Sequence, residues 1–204
     1  MLNFPKSTEF GRIIPKEAFY KNLSLSTEMK DKFVSYIKKI VWQYKLSADT
    51  LNLEKGNDVS EILVLAIELK KKAFDRKILE LISKQNTHKV IYILSFEDTY
   101  CLGIYVNKVY ISAWQNDISL EIKGLNLDSV WDNFVCQIAI DDELIENVGH
   151  SSVDELLQLQ EEKQKLQKEL LALENKIRTT KQFNLQVKLK QELKRLKEKN
   201  KYEI

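Results

Sequence analysis

The chain is poor in the residues that build several common kinds of functional site. Its 204 residues include two cysteines, two histidines, two prolines and five glycines. Cys101 and Cys136 stand 35 positions apart in apolar surroundings, without a CxxC pair or a nearby histidine. This arrangement argues against a disulfide framework or a metal site, and we interpret both cysteines as small core residues of a protein in the reducing cytoplasm.

The few glycines and histidines also argue against the usual nucleotide and nucleophile motifs. The glycines are scattered, and neither GxxxxGK[ST] nor GxGxxG occurs. A Cys-His or Ser-His pair would have to use His88, at the start of a predicted strand, or His150, in a linker. No stretch approaches about 18 uncharged apolar residues, and the first residues lack an apolar core, so we expect no insertion into a membrane.

The chain does carry abundant charge, which is unevenly distributed. With 44% hydrophobic residues, it can also form one core of ordinary size. The net charge is +2, and residues 1–150 hold 19 basic and 21 acidic residues. Residues 178–204 alone hold 9 basic and 3 acidic residues. The pattern indicates a nearly neutral body followed by a basic C-terminal segment.

The first third of the chain predicts an arm, a helix and a hairpin. Residues 1–25 hold both prolines and predict an extended arm with one short helix at KEAFYKNL. Apolar residues at helical spacing predict an amphipathic helix from Ser26 or Thr27 to about Lys45. The tripeptide LNL and the apolar run at 59–69 are typical of a β-hairpin with Gly56 in its turn.

The middle of the chain has the pattern of a βαβ unit followed by an antiparallel extension. The run at 59–69, a helix at 75–86 and an apolar strand at 90–96 predict a parallel strand pair that is buried on both faces. Two further strands are predicted near 101–106 and 109–114, and a helix capped by Asp128 at 128–140. The sequence therefore predicts an α+β (α/β) body over residues 1–147, with a mixed sheet of about five strands flanked by helices.

Residues 148–204 predict a separate helical appendage. LIENVGHSS is typical of a linker, with Gly149 in it, and Ser151 or Ser152 is the expected N-cap of a long helix. Apolar residues then recur at the spacing of a coiled-coil seam, which Lys163 interrupts. The seam residues are Leu156, Leu159, Leu166, Leu170, Leu173 and Ile177 in the first arm and Phe183, Val187, Leu189, Leu193 and Leu196 in the second.

Neither arm of the appendage buries its seam alone. We therefore predict an antiparallel coiled-coil hairpin that reverses between Arg178 and Asn184, with Gln182, Phe183 and Asn184 at its tip. In this prediction Phe183 packs across the tip and Asn184 caps the returning helix. The alternative is a single uninterrupted helix that dimerises, in which Thr179, Thr180 and Asn184 are poor but tolerable helix residues.

Several stretches along the chain resemble one uncharacterised family. FPKSTEFGRIIPKEAFY at 4–20, WQYKLSADTLNL at 42–53, EILVLAIELK at 61–70 and KQFNLQVKLKQELKRLK at 181–197 look like the bacterial and archaeal domain of unknown function 4391. The resemblance implies no chemistry, because its motifs are not catalytic. It implies a genomic setting beside DNA methyltransferases and helicases of restriction-modification or phage-defence islands.

One short motif suggests a catalytic alternative. Glu68-Leu69-Lys70 is an ExK triplet at the end of a predicted strand, which resembles the core of PD-(D/E)xK nucleases. Such an enzyme needs a second carboxylate to share Mg²⁺, and Glu61 is a candidate along with Asp49, Glu54 and Asp58. None of these stands in a PD or ED motif, and an ExK triplet arises readily by chance in a lysine-rich chain. We therefore expect no cofactor, with Mg²⁺ implied only by this alternative.

The second arm of the hairpin carries the clearest binding signal. Lys188, Lys190, Lys194, Arg195 and Lys197 make it basic, together with Lys199 and Lys201, and such a surface suits contact with DNA phosphates or a protein partner. The alternative interpretation, in which the surface has no binding role, is that glutamates of the first arm pair with these cations across the hairpin. These glutamates are Glu161, Glu162, Glu169 and Glu174.

The sequence thus favours a non-catalytic accessory protein over an enzyme. Its hairpin is expected to dock on a larger protein, such as a helicase or DNA methyltransferase of a defence system, and to contact DNA. A metal-dependent nuclease and a structural coiled-coil homodimer are the alternatives.

Overall fold

A computed structural model describes residues 2–22, 25–148 and 152–202, without the side chains of residues 20–22, 147, 148 and 198–202. The predicted linker residues Gly149, His150 and Ser151 lie outside the described part. The chain divides into two compact units, Met1–Ala139 and Ile140–Ile204.

The first unit combines one β-sheet with five α-helices and a short 3-10 helix, Lys6–Thr8, among its described residues. Its strands are β1 (Glu9–Ile13), β2 (Ile37–Ser47), β3 (Glu61–Leu69), β4 (Lys89–Phe96), β5 (Thr99–Tyr105) and β6 (Val109–Ile111). Its helices are α1 (Lys16–Asn22), α2 (Thr27–Tyr36), α3 (Ala48–Leu51), α4 (Lys77–Lys84) and α5 (Leu127–Ala139).

The sheet is mixed and its strands lie in chain order, from β1 to β6. Only β3 and β4 are parallel; every other neighbouring pair is antiparallel. The parallel pair is joined by α4, as a crossover between parallel strands requires. The predicted α+β fold and its βαβ unit are confirmed, with six strands rather than about five.

Both faces of the sheet are covered. On one face, Phe33 of α2 and Ile82 of α4 share a buried cluster with Leu65 of β3 and Tyr92 of β4. The other face carries Phe134 of α5, whose ring stacks on Phe4, and the Phe4 ring in turn makes an edge contact with Tyr44 of β2. Two-sided burial explains why β3 and β4 are almost continuously apolar in the sequence.

The predicted helix from residue 26 to 45 is wrong in its second half. Ser26 caps α2 as expected, since its side chain accepts a hydrogen bond from the Met29 amide, but the helix ends at Tyr36. The next residues form β2. The strand has register shifts between Ile37 and Lys39 and between Trp42 and Tyr44, which interrupt the alternation of its buried residues. Its apolar residues therefore recur at intervals that resemble those of a helix.

The predicted hairpin around Gly56 is also wrong. Ser47 and Thr50 form a capping box that starts the short helix α3, so LNL is not a strand. Residues 57–59 instead bind the carboxylate of Asp128, which accepts hydrogen bonds from the amides of Asn57, Asp58 and Val59 at 2.6, 3.2 and 2.8 Å. Asp128 consequently does not cap α5.

Asn126 occupies the capping position of α5 instead. Its side-chain Oδ1 accepts a hydrogen bond from the Ser129 amide at 2.9 Å. Gly56 is required beside the bound Asp128, because a Cβ there would lie 2.7 Å from the Val59 carbonyl oxygen and closer still to the carboxylate. The bonds from the Asn57, Val59 and Asp58 amides hold the pKa of Asp128 below its ordinary value.

The N-terminal arm is more structured than predicted. The helix at KEAFYKNL is present as α1, and the preceding residues form the edge strand β1. The register of β1 against β2 shifts between Glu9 and Arg12, where Gly11 has a φ of +61°. A glycine suits this bulge because it adopts positive φ without steric cost.

The described residues of the second unit form three helices and short non-helical segments. The helices are α6 (Asp142–Val148), α7 (Val153–Thr179) and α8 (Phe183–Tyr202). Ser152 caps α7 in a capping box with Glu155, and α7 and α8 pack together. The predicted helical hairpin is confirmed, and the uninterrupted helix is not observed. No helix among the described residues combines the length and apolar character needed to span a membrane.

Candidate functional site

The hairpin reverses over only three residues, Thr180 to Gln182. The Gln186 side chain closes the reversal by donating to the carbonyl oxygens of Ile177 at 3.2 Å and Thr180 at 3.3 Å. These bonds satisfy backbone groups that the end of α7 leaves without helical partners. Gln182 precedes α8, and its carbonyl oxygen accepts the hydrogen bond from the Gln186 amide.

Two details predicted for the tip are wrong. Phe183 does not pack across the reversal, because it is the first residue of α8 and 76% of it is exposed. Asn184 does not cap α8, because it lies inside the helix. The fixed geometry of the tip comes from Gln186, whose long amide side chain carried no obvious capping signal in the sequence.

The seam between the helices is narrower than the sequence suggested. On α8 it comprises Leu189, which is buried, and Leu193 and Leu196, which are half-buried. Val187, which is 38% exposed, and Phe183 both lie outside the seam. The predicted seam residues of α7 are buried or half-buried: Leu156, Leu159, Leu166, Leu170, Leu173 and Ile177.

Lys163 does not weaken the first arm as its place in the seam suggested. Its side chain is 13% exposed, and its Nζ lies 2.8 Å from Glu143 Oε2 and 3.5 Å from Asp141 Oδ2. The hydrogen bond with Glu143 raises the pKa of Lys163 above its ordinary value. Nearby Gln160 is 2% exposed and accepts a hydrogen bond from the Asp141 amide at 3.2 Å. These polar contacts join the start of α6 to α7, and no sequence pattern revealed them.

The outer side of α8 places exposed apolar residues beside exposed cations. Phe183 and Val187 are four positions apart and thus lie on one side of the helix, while Leu185, next to them in the chain, is 42% exposed. The predicted basic residues Lys188, Lys190, Lys194, Arg195 and Lys197 are all exposed. Lys197 pairs with Glu174 of α7 at 2.8 Å, as predicted for Glu174 by the alternative in which the glutamates of the first arm neutralise the cations of the second.

The remaining cations of α8 are not all balanced in this way. Among the residues that the structure describes, Lys188, Lys190 and Arg195 have no carboxylate within ion-pair distance. The side chains of Lys199 and Lys201 lie outside the described part. Lys188 and Arg195 lie on one side of α8 and Lys190 on another, so the second arm keeps exposed positive charge even though the hairpin contains several glutamates.

The residues of the nuclease alternative are not brought together. Glu61 and Glu68 stand at opposite ends of β3, roughly 20 Å apart at the rise of a strand, so they do not share a metal ion. Glu68 pairs with Lys38 at 2.6 Å, and Lys70 Nζ donates to the Val34 carbonyl oxygen at 2.9 Å. No group of three metal-binding side chains occurs among the described residues.

Glu61 belongs to a small polar cluster with two other side chains. Lys45 Nζ lies 2.7 Å from one of its oxygens and His88 Nε2 lies 3.8 Å from the other.

The two cysteines show no sign of activation. Burial raises the pKa of the Cys101 thiol to about 12 and also raises that of Cys136.

The first unit contains a largely apolar cavity that sequence patterns did not reveal. Its volume is about 330 Å³, and its lining includes Phe19 of α1, Trp42 of β2, Leu65 of β3 and Ile82 of α4. A cavity of this size lies at the small end of the range for small-molecule sites. Its walls come from segments that are far apart in the chain, so no local motif marks it.

Comparisons with known proteins identify kinship without chemistry. No curated protein and no solved structure matches the chain. The family model for the domain of unknown function DUF4391 matches residues 2–199. Because the match spans nearly the whole chain, the protein belongs to the DUF4391 family.

Proposed function

We propose that this protein is a non-catalytic accessory component of a bacterial restriction-modification or phage-defence system. In this proposal it acts in the cytoplasm, where its hairpin docks on a larger protein such as a helicase or DNA methyltransferase. The observation that supports the proposal most directly is the exposed apolar pair on α8, Phe183 at 76% and Val187 at 38% exposure. The class of partner comes from the genomic setting that the family resemblance implies.

The packing of the hairpin supports this proposal, because Phe183 and Val187 are not needed for the contact between α7 and α8. Leu189, Leu193 and Leu196 already supply the apolar side of α8 that packs on α7. Phe183 and Val187 lie on a different side of the same helix. Large apolar side chains one helical turn apart are the usual anchors when a helix binds in a groove of another protein.

The cations near Phe183 and Val187 indicate which charges a partner's groove would carry. Lys190 lies three positions after Val187 and therefore on the same side of α8. Lys188 and Arg195, seven positions apart, share a different exposed side. A partner surface with an apolar pocket bordered by carboxylates complements this arrangement. Such complementary charges increase the rate of association and exclude unsuitable partners more than they add affinity.

Co-purification from cells tests the docking proposal. The tagged full chain would be expressed together with a candidate helicase or DNA methyltransferase. We expect Phe183→Asp/Val187→Asp to abolish recovery of the partner, since burying two carboxylates in an apolar pocket is unfavourable. Leu171→Asp is the matched control, because Leu171 is a 60% exposed leucine on α7. Unchanged recovery with the double variant would refute the proposal.

Self-association through the same face is a separate outcome. Light scattering on the full chain tests for it. If the wild type is a homodimer and Phe183→Asp/Val187→Asp is a monomer, then a second copy of the chain binds this face. The proposal of a larger partner requires a monomer when the protein is alone.

A DNA contact is a second candidate role for the hairpin. It is supported by Lys188, Lys190 and Arg195, which are exposed and have no carboxylate partner within the described chain. We expect Lys188→Gln/Lys190→Gln/Arg195→Gln to weaken binding of labelled duplex DNA and to reduce its salt dependence. Equal binding by wild type and variant would exclude α8 as the contact.

A further inference from the structure

A second basic surface lies in the first unit, where three consecutive lysines follow β3. Lys70, Lys71 and Lys72 are all exposed. Within the described part of the chain, none of them has a carboxylate at ion-pair distance. Runs of surface lysines are common, so the arrangement of their neighbours decides whether this one is a site.

Each of the three ammonium groups has a defined neighbour. Lys70 Nζ donates to the Val34 carbonyl oxygen at 2.9 Å. Lys71 Nζ lies 5.9 Å from the centre of the Tyr36 ring, and Lys72 Nζ lies 5.2 Å from the centre of the Trp114 ring. The three charges are thus spread over a surface that includes two half-buried aromatic rings, and they are not grouped at one point.

Other cations reinforce this surface. Lys39 is exposed and stands opposite Glu68 in the pairing of β2 with β3, while Glu68 itself is engaged by Lys38. Lys16 donates to the Ile37 carbonyl oxygen. Burial and the nearby charge of Lys70 lower the pKa of Lys16, while Glu17 acts in the opposite direction.

Acidic residues border the surface in more than one place. Glu17 is close to Lys16, and Glu68 pairs with Lys38. Glu97 and Asp98 form the turn after β4, which is the parallel neighbour of β3. The contacts of Lys70 and Lys71 are with residues that precede β2, on the opposite side of β3 from β4. The acidic turn therefore limits the positive surface in that direction.

We propose that Lys70, Lys71 and Lys72 bind the sugar-phosphate backbone of single-stranded nucleic acid. Lysines act as point charges that hold successive phosphates without reading the sequence. Tyr36 and Trp114 are half-buried against the core, each with a lysine ammonium over its ring. When these lysines turn to phosphates, the exposed part of each ring can take an unpaired base, which a duplex does not provide. This site lies in the first unit and is independent of the docking surface proposed for the hairpin.

Fluorescence anisotropy of the full chain with labelled oligothymidylate of about 20 nucleotides tests the proposal, titrated in KCl from about 50 to about 200 mM. Lys71→Gln/Lys72→Gln spares Lys70, whose hydrogen bond to Val34 contributes to the fold. We expect this variant to bind about tenfold more weakly at the lowest salt. The slope of log affinity against log salt should fall by about 1.4, for two lost single-strand phosphate contacts.

Three companion variants make the result specific to this surface. Glu97→Gln/Asp98→Asn removes the negative charges of the acidic turn and should tighten binding. Lys55→Gln/Lys123→Gln removes two exposed charges elsewhere in the first unit and should leave oligothymidylate binding within twofold of the wild type. The hairpin variant Lys188→Gln/Lys190→Gln/Arg195→Gln is titrated in parallel to locate the contact. Circular dichroism checks that each variant is folded.

The contradicting results are distinct from those for the hairpin. Absence of binding by the wild type, or unchanged affinity and salt slope in Lys71→Gln/Lys72→Gln, would overturn the proposal. Loss of binding only in the hairpin variant would move the contact to α8. Duplex DNA binding that is as tight as oligothymidylate binding, or tighter, would overturn the assignment to single strands. So would displacement of the labelled oligothymidylate by heparin alone and not by unlabelled single strands.

Discussion

The two units differ in how they use their apolar residues. In the first unit, five consecutive residues of β4, from Val90 to Leu94, are buried because helices cover both faces of the sheet. In the second unit, α7 is 27 residues long, and its described buried residues are Leu156, Leu157 and Gln160. The first unit thus has a core that specifies its fold, whereas most of the hairpin is held by one narrow seam and leaves large surfaces exposed.

This difference separates the site of stability from the proposed site of interaction. Burial of apolar surface contributes about 25 cal/mol per Å², so the two-sided sheet gains much more stabilisation per residue than a single seam does. A thin hairpin with exposed apolar and basic residues is better suited to contacting another molecule. The predictions below test this separation, in order of decreasing effect.

The largest effect is expected in the core of the first unit. Leu94→Ala should lower the free energy of unfolding by about 2–5 kcal/mol, because Leu94 is fully buried and the change leaves a cavity. Urea denaturation followed by tryptophan fluorescence measures the loss. Leu125→Ala is the control, since Leu125 is 84% exposed and should change stability by less than about 0.5 kcal/mol. Similar losses in both variants would contradict the assigned core.

A smaller and more local effect is expected in the seam. Leu189→Ala should destabilise the hairpin by about 2 kcal/mol, since Leu189 is only 5% exposed but packs in a thin interface. Hydrogen exchange should show faster exchange of amides in α7 and α8 with unchanged exchange in β4. Equal acceleration in β4 would show that the two units unfold together, which removes the contrast.

The loop that binds Asp128 should make the first unit sensitive to acid. The folded-state pKa of Asp128 lies below its ordinary value of 3.8, so its contribution to stability is present above that pH and is lost as the pH falls through the folded-state pKa. Asp128→Asn should lower the Tm at neutral pH and should make the Tm fall less steeply as the pH is lowered through the acid range. Thermal melts between pH 7 and about pH 2.5 measure both changes, and an unaltered profile would contradict the assigned bonds.

The smallest effect is expected at the ion pair across the hairpin. Glu174 and Lys197 are about half exposed, at 46% and 55% of their side chains. A double-mutant cycle with Glu174→Gln and Lys197→Gln should give a coupling energy of about 0.2–1 kcal/mol that decreases with added salt. A larger, salt-independent coupling would mean that charge pairing, and not the leucine seam, holds the arms together.

The sequence predicted the elements whose pattern is set locally. The βαβ unit was visible because β3 and β4 are continuously apolar, and the hairpin was visible because Leu156 to Ile177 repeat at coiled-coil spacing. The capping serines Ser26 and Ser152 marked two helix starts correctly. In each case the signal and the structure it specifies lie within one stretch of chain.

The failures occurred where distant residues decide the structure. The two register shifts in β2 gave Ile37, Ile40 and Tyr44 a spacing that also fits a helix, and only pairing with β3 determines the strand. The loop at Gly56 depends on Asp128, which lies 70 positions from Asp58. For the proposed sites, the basic residues of α8 were visible in the sequence. The outward position of Phe183 and the surroundings of Lys71 and Lys72 were not, because they depend on tertiary neighbours.

Hydrogen-deuterium exchange of the full chain, alone and mixed with a candidate helicase or methyltransferase, tests the proposed docking role of the hairpin most directly. We predict slower exchange concentrated in α8 from Phe183 to Lys197, with the strands of the first unit unchanged. Protection confined to the first unit, or no protection in a mixture that forms a complex, would contradict the assignment of docking to the hairpin.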